Sequence, residues 1–200
     1  MDEVGEAFPA VLAAAAAGDP HAFASLWRVN HPPLLRYLRV TVGDIAEDVA
    51  SETWLKVIRS LSTFSGDERA FRGWLTVVGR NTARDHLRAA GRRPESPAEE
   101  LPLLRETGPD PADAVLERLS TERALRLLAT LPPAQAEMVA LRVVVGLEPA
   151  EVARITGRSP GAVRVAVHRA LATLARRLDP GAPDQHVTIS DGEALTRRHG

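Results

Sequence analysis

Apolar side chains recur every three to four positions through most of the chain, the spacing of helices that each bury one stripe. Over residues 8–40 the positions Phe23, Leu26, Trp27, Leu34, Leu35 and Leu38 follow it. His31-Pro32-Pro33 predicts a break between two helices there, because proline lacks an amide donor and restricts the residue before it. From Asp44, a good N-cap, to about Leu61, a further stripe comprises Ala46, Ala50, Trp54, Val57, Ile58 and Leu61, while Asp44, Glu47, Asp48, Ser51 and Glu52 gather on the other side. Ser65-Gly66-Asp67 reads as a turn. A long helix then starts near Glu68, with Phe71, Trp74, Leu75, Val78 and Leu87 facing a core.

The pattern resumes over residues 114–130, where Val115, Leu116, Leu119, Leu125, Leu127 and Leu128 are apolar, and Leu131-Pro132-Pro133 ends it. Pro133 opens a helix through about Val145, and Gly146 stops it. Glu148–Ile155 makes a short helix with Gly157 at a left-handed exit. Ser159 then caps a last helix that has Pro160 in its first turn. In that helix Val163, Val167, Leu171, Leu174 and Leu178 point inward, and Arg158, Ser159, Arg164, His168 and Arg169 point outward. Two short helices around a tight turn outline a helix-turn-helix, whose second helix enters the major groove. The expected fold is all-α: a helical domain over 1–93, a linker over 94–113, a helix-turn-helix domain over 114–178 and an unassigned tail over 179–200.

Charge sharpens this division. The 200-residue chain has a net charge of −1, yet residues 69–93 hold seven Arg against Asp85 alone. Residues 94–113 hold six acids and five prolines against Arg105, and residues 114–178 hold ten basic and five acidic side chains. Two basic bodies are thus joined by a stiff acidic strap. Its twenty residues reach about 65–70 Å extended, close to two turns of duplex at about 34–36 Å each.

Within the first body Arg72, Thr76, Arg80, Arg84 and Arg88 follow at steps of four. Glu68 can pair with Arg72, and the other arginines have no acid four residues away, which leaves them available to phosphate. Phe64, Phe71 and Trp74 lie near this ridge, and aromatic faces beside arginine suit unpaired bases. A solvated helix face with its aromatics in the core is the other reading of the same residues.

Several classes of function are not expected. With no cysteine the chain has no disulfide, thiol nucleophile or zinc-thiolate site, and its six histidines have no metal-ligand spacing. No phosphate-binding glycine loop or nucleophile elbow occurs, so neither an enzyme nor a cofactor is expected. Val11–Gly18 is apolar, but acids rather than Lys or Arg precede it, and no apolar run is long enough for a membrane span; a cytoplasmic protein is expected.

Together, "GDIAEDVASETWLKVIRSL", "FSGDERAFRGWL", "GRNTARDHLRAAGRRP" and "LPPAQAEMVALRVVVGLEPAEVARITGRSPGAVRVAVHRALATL" resemble regions two and four of the ECF (extracytoplasmic function) sigma factors of bacterial RNA polymerase, over roughly residues 20–178. The resemblance implies a transcription initiation factor. Asp44, Glu47, Asp48, Glu52 and Trp54 fall in the segment that docks on the polymerase core. Phe64, Arg72, Trp74, Arg80, Asn81, Arg84 and Arg88, with the Ser62–Arg69 loop, fall where the melted −10 strand is held. Arg158, Ser159, Arg164, His168 and Arg169 fall on the helix that reads the −35 duplex. It also implies an anti-sigma partner covering the docking faces. Two departures stand out: Ser51 replaces the usual Gln, and Val165-Ala166 replace a polar pair on the reading helix. The alternative is a self-sufficient helix-turn-helix repressor or activator.

Overall fold

The computed structural model describes residues 3–91 and 121–178; within these, α and shorter helical turns make all the regular structure and no strand is present. The first body comprises α1 (Glu3–Ala16), α2 (Pro20–Val42), α3 (Ala46–Ser60) and α4 (Glu68–Ala89). The second comprises α5 (residues 121–129), α6 (Pro133–Val139), α7 (Pro149–Thr156) and α8 (Pro160–Leu178). Of the expected 114–130 helix, Val115, Leu116 and Leu119 lie outside the described residues, as do the strap and the tail.

Local chemistry sets the helix starts. Asp19 caps α2, its carboxylate accepting from the amides of His21 (2.7 Å) and Ala22 (3.1 Å). Those two bonds, Ala22 the greater influence, hold the Asp19 carboxyl below its ordinary range. Asp67 caps α4 through the Ala70 amide at 2.7 Å. Such caps are worth about 1 kcal/mol each.

Three expectations about helix boundaries are corrected. Helix α2 does not break at His31-Pro32-Pro33 but runs through both prolines. The carbonyls left without amide donors belong to Arg28 and Val29, both exposed residues. Asp44 does not cap α3: it sits in a 3₁₀ turn, Gly43–Ile45, and Ile45 takes the cap position without a side-chain bond. The helix from Pro133 does not stay α-helical to Val145. Ala140–Val144 form a π-helical turn, closed by the Val145 amide on the Ala140 carbonyl at 3.0 Å.

Helix α4 crosses α2 and α3 closely at Gly79, where a Cβ would lie 2.8 Å from Leu34 Cδ1 and 3.6 Å from Thr53 Cγ2. Buried Phe71 and Leu75 face inward from α4, while Leu34, Leu38, Val49 and Val57 fill the centre of the first body. Phe8, Leu12 and Ala15 bury one face of α1, which packs on α2. In the second body Leu125, Leu128, Leu141, Val152, Val163 and Ala170 form the centre. The two bodies touch: α2 packs on α6 and the π turn, and the buried apolar residues of both form one cluster.

Candidate nucleic-acid interface

Helix α4 carries the first candidate surface. At about 100° per residue, Trp74, Asn81, Arg84 and Arg88 share a face with Arg80 at its edge, whereas Arg72 lies about 80° beyond Arg80. Thr76 does not continue the ridge outward; it is buried and donates to the Arg72 carbonyl at 2.7 Å. The expected Glu68–Arg72 pair does not form. Arg72 and Arg84 make no ion pair among the described residues, while Arg88 meets Asp85 at 3.0 Å, an exposed pair easily surrendered. Phe64 stacks on Trp74 with ring centroids 4.9 Å apart, and both remain partly exposed; Phe71 lies in the core beneath them.

Arg80 is engaged. Its guanidinium donates to both carboxylate oxygens of Glu137 on α6, at 2.5 and 3.1 Å, and only 11% of its side chain is exposed. Tyr37 on α2 donates its hydroxyl to the same carboxylate at 3.2 Å. Burial opposes the charge on Arg80, but the Glu137 bonds outweigh it and hold the guanidinium's affinity for its proton above the ordinary value. Burial, then the Glu137 charge, pushes the Tyr37 phenol up, so it remains a donor. Arg69, at the start of α4, grips Glu151 of α7 with N···O distances of 3.0–3.3 Å. Between α4 and α7 an open groove of about 450 Å³ is lined by Trp74, Val77, Arg80, Asn81, Arg154 and Ile155.

Helix α3 carries the second surface. The structure moves Trp54 away from it: the ring is 5% exposed, packs edge-on against Phe23 and donates Nε1–H to His31 Nδ1 at 3.2 Å. Trp54 therefore belongs to the core and offers no docking surface. Glu47 pairs with Arg39 at 2.9 Å. Glu52 pairs with Lys56 at 2.8 Å and His86 Nε2 at 2.6 Å, clasping α3 to α4. The Lys56 hydrogen bond, then that of His86, holds the Glu52 carboxyl below its ordinary range. What stays open is Asp44, Asp48, Ser51, Leu55 and Ile58, running along one side. Ile58, expected inside, is 51% exposed, and Leu55 is 55% exposed.

The third surface is the helix-turn-helix. Gly157 takes φ +70°, ψ +30° at the exit of α7, and the Ser159 hydroxyl accepts from the Ala162 amide at 3.2 Å to start α8. Glu151 accepts from the Glu148 amide at 2.7 Å, closing the first turn of α7. On α8, Val163, Val167, Ala170 and Leu174 are buried, and Arg158, Ser159, Arg164, His168 and Arg169 are all exposed on the approach to and face of the helix. Leu171 is corrected from the inward stripe: it is exposed, and Ala170 takes its place. Of the unusual pair, Ala166 packs against the core and Val165 is 50% exposed beside Arg164 and Arg169.

Comparison with known proteins bears on what these surfaces belong to. Residues 26–93 match Sigma-70 region 2, and residues 121–174 match Sigma-70, region 4. The ECF RNA polymerase sigma factor SigD of Mycobacterium tuberculosis is 39% identical over 180 residues, covering 87% of this chain and 85% of SigD. The chain belongs to the ECF sigma factors. The sigma factor BldN of Streptomyces coelicolor is 38% identical over 170 residues, 84% of this chain, and the match spans 64% of BldN. The solved structure of CnrH in complex with the cytosolic domain of CnrY is similar with a TM-score of 0.60 and 27% identity, covering 88% of this chain and 99% of CnrH.

Sequence reasoning missed two features of this sigma factor. Ile58 was hidden by reading apolar residues as core, and Leu55 lies outside the expected stripe, about 200° from Val57 around the helix. Glu137 and Glu151 had no sequence signal, because their partners lie 57 and 82 residues away. No helix among the described residues is long and apolar enough to cross a membrane, and no cluster of metal-ligating side chains occurs among them.

Proposed function

We propose that this sigma factor directs RNA polymerase to its promoters through two separate DNA contacts. The second body reads the −35 duplex, and the first holds the melted −10 strand. The observation that carries this reading is α8: its inner stripe is buried while Arg158, Ser159, Arg164, His168 and Arg169 are all exposed around its capped N-terminal half. A helix so oriented presents its polar residues to phosphates and base edges in a major groove. On α4 the stacked Phe64–Trp74 pair beside Arg84 and Arg88 suits unpaired bases with their phosphates.

The polymerase-docking surface is the exposed side of α3. Asp44, Asp48, Leu55 and Ile58 form its accessible part, an acidic start followed by an apolar end. Glu47 and Glu52 border it and keep their local partners. An apolar centre with a charged rim is the usual anatomy of a protein interface. CnrH was solved with a bound protein partner, and a cytosolic anti-sigma protein covering the same faces is the corresponding expectation here.

Transcription in vitro with polymerase core and a set of genomic promoters tests the reading. Specific initiation should require this chain, and gel shifts should show tight promoter binding only when core is present. Strong, specific duplex binding by the free chain would favour a self-sufficient regulator instead. Leu55→Asp with Ile58→Asp should weaken core binding at least tenfold while shifting the melting temperature only slightly, since both residues are more than half exposed.

A further inference from the structure

Phe8 on α1 precedes the matched region 2, which begins at residue 26, yet its ring starts an aromatic chain that ends on the −10 surface. It meets Phe71 with ring centroids 5.7 Å apart and planes tilted by 57°. Phe71 in turn stands nearly perpendicular to Phe64 at 5.5 Å and tilted to Trp74 at 5.7 Å. Phe64 and Trp74, stacked on each other, are the partly exposed end of the chain. Phe71 is fully buried and Phe8 is 5% exposed, so neither is open to DNA or to polymerase.

The seat of Phe64 is tight. A Cβ on Gly66 would lie 3.1 Å from the Phe64 Cζ and 2.9 Å from the Ala70 Cβ. The loop backbone thus closes on the Phe64 ring, with Trp74 over its face and Phe71 across it. A ring so enclosed follows the side chain beneath it, because close-packed interiors transmit displacements rather than absorb them. Phe71 is itself backed from α1, which reaches both α4 and the 3₁₀ turn Leu61–Thr63 that leads into Phe64.

We propose that Phe8 is a positioning residue for the melted −10 strand: by backing Phe71 it fixes the orientation of the Phe64–Trp74 platform on which unpaired bases stack. The inference rests on the −10 reading of that platform. Truncating Phe8 leaves space behind Phe71 that the surroundings fill only in part. Phe71 then settles toward α1, and the two exposed rings lose their set orientation. A platform that must be reordered on binding gives back part of the contact free energy. Phe8 therefore acts on the strand without touching it.

The test uses the full chain. Leu12→Ala is the control, because Leu12 is buried one turn further along the same face of α1 and carries no ring. The probe is a single-stranded oligonucleotide bearing the −10 segment of a promoter from which the holoenzyme initiates. Phe8→Ala should weaken holoenzyme binding to it about tenfold, on the order of one lost base–aromatic stack. Affinity for core should be unchanged, and Phe8→Met, which refills the space, should recover most of the loss. Leu12→Ala should lower the melting temperature but leave strand binding intact. If Phe8→Ala does not fold, Phe8→Val is read against the same control. A DNA-free readout is the indole N–H resonance of Trp74, identified by its disappearance in Trp74→Phe. Lying against the Phe64 ring, it should move in Phe8→Ala and stay in Leu12→Ala. Equal losses of strand binding in the two alanine variants overturn the proposal, as does an unmoved Trp74 resonance. Full strand affinity in Phe8→Ala overturns it too, while a loss in Trp74→Ala keeps the −10 reading. Strand binding that survives Trp74→Ala sinks that reading and the proposal with it, and the resonance then still reports whether Phe8 sets the platform.

Discussion

At the scale of single residues, the reading helix turns on Val165. Its neighbours Arg164 and Arg169 are exposed cations, and Ala166 is packed inward. Only one apolar side chain of the unusual pair is therefore exposed, and on the proposed −35 reading it offers a methyl surface and no hydrogen bond. Val165→Asn should fold normally and change preference at one base position of the −35 element by about 1–3 kcal/mol, measured by competitive binding of holoenzyme to single-base variants. Ala166→Asn should instead lower the melting temperature, because it inserts a polar amide against the core. On the proposed −10 reading, Arg84 is a different kind of contact. Its removal should weaken open complexes on all promoters alike and reduce the slope of log affinity against log salt by about one. A promoter-selective effect of Arg84→Ala would count against a phosphate role.

At the scale of elements, local chemistry was legible and long-range packing was not. Gly157 after α7 and Ser159 before α8 do what the sequence suggested, because a cap needs only residues a few positions away. The unbroken α2 was not legible: whether two prolines end a helix depends on whether water reaches the carbonyls they leave open. Ile58 left the expected stripe, and Trp54 stayed in it rather than facing the docking side, for a related reason. Apolar identity defines a stripe only roughly, and the surroundings decide which edge is covered. Gly79 was likewise silent in the sequence, yet it sets how closely α4 crosses α2 and α3. Gly79→Val should cost about 1–3 kcal/mol by overpacking Leu34 and Thr53, read from urea denaturation. At Gly73, on the same helix, an added Cβ would meet nothing within 4 Å; Gly73→Ala should be neutral or stabilise by up to about 1 kcal/mol.

At the scale of the whole molecule, charge placement governs both shape and response to solution conditions. The carboxyl of Glu151 is pushed up by burial, but the Arg69 bonds and the Glu148 amide outweigh this and hold it below its ordinary range. Neighbouring Arg154 acts in the same direction, while Asp67 and Glu148 add to the negative surroundings of Arg69. A carboxylate whose value is depressed by this contact stabilises it above the ordinary glutamate range, and that contribution disappears as pH falls through the depressed value. The melting temperature should therefore drop on acidification, and Glu151→Gln should flatten part of that drop. Added salt should act in the same direction, more on the exposed Arg69 clasp than on the sheltered Arg80 one.

Glu151 also accepts the Glu148 amide, a bond that lies wholly within the first turn of α7. Parting the two bodies removes Arg69 from this carboxylate but leaves that bond in place. The helix-turn-helix is therefore scaffolded by its own residues, and its shape does not depend on the contact with the first body. The entropy of shaping the reader has already been met in the resting molecule, so the free energy of promoter capture goes into contacts with DNA rather than into building the hand that makes them.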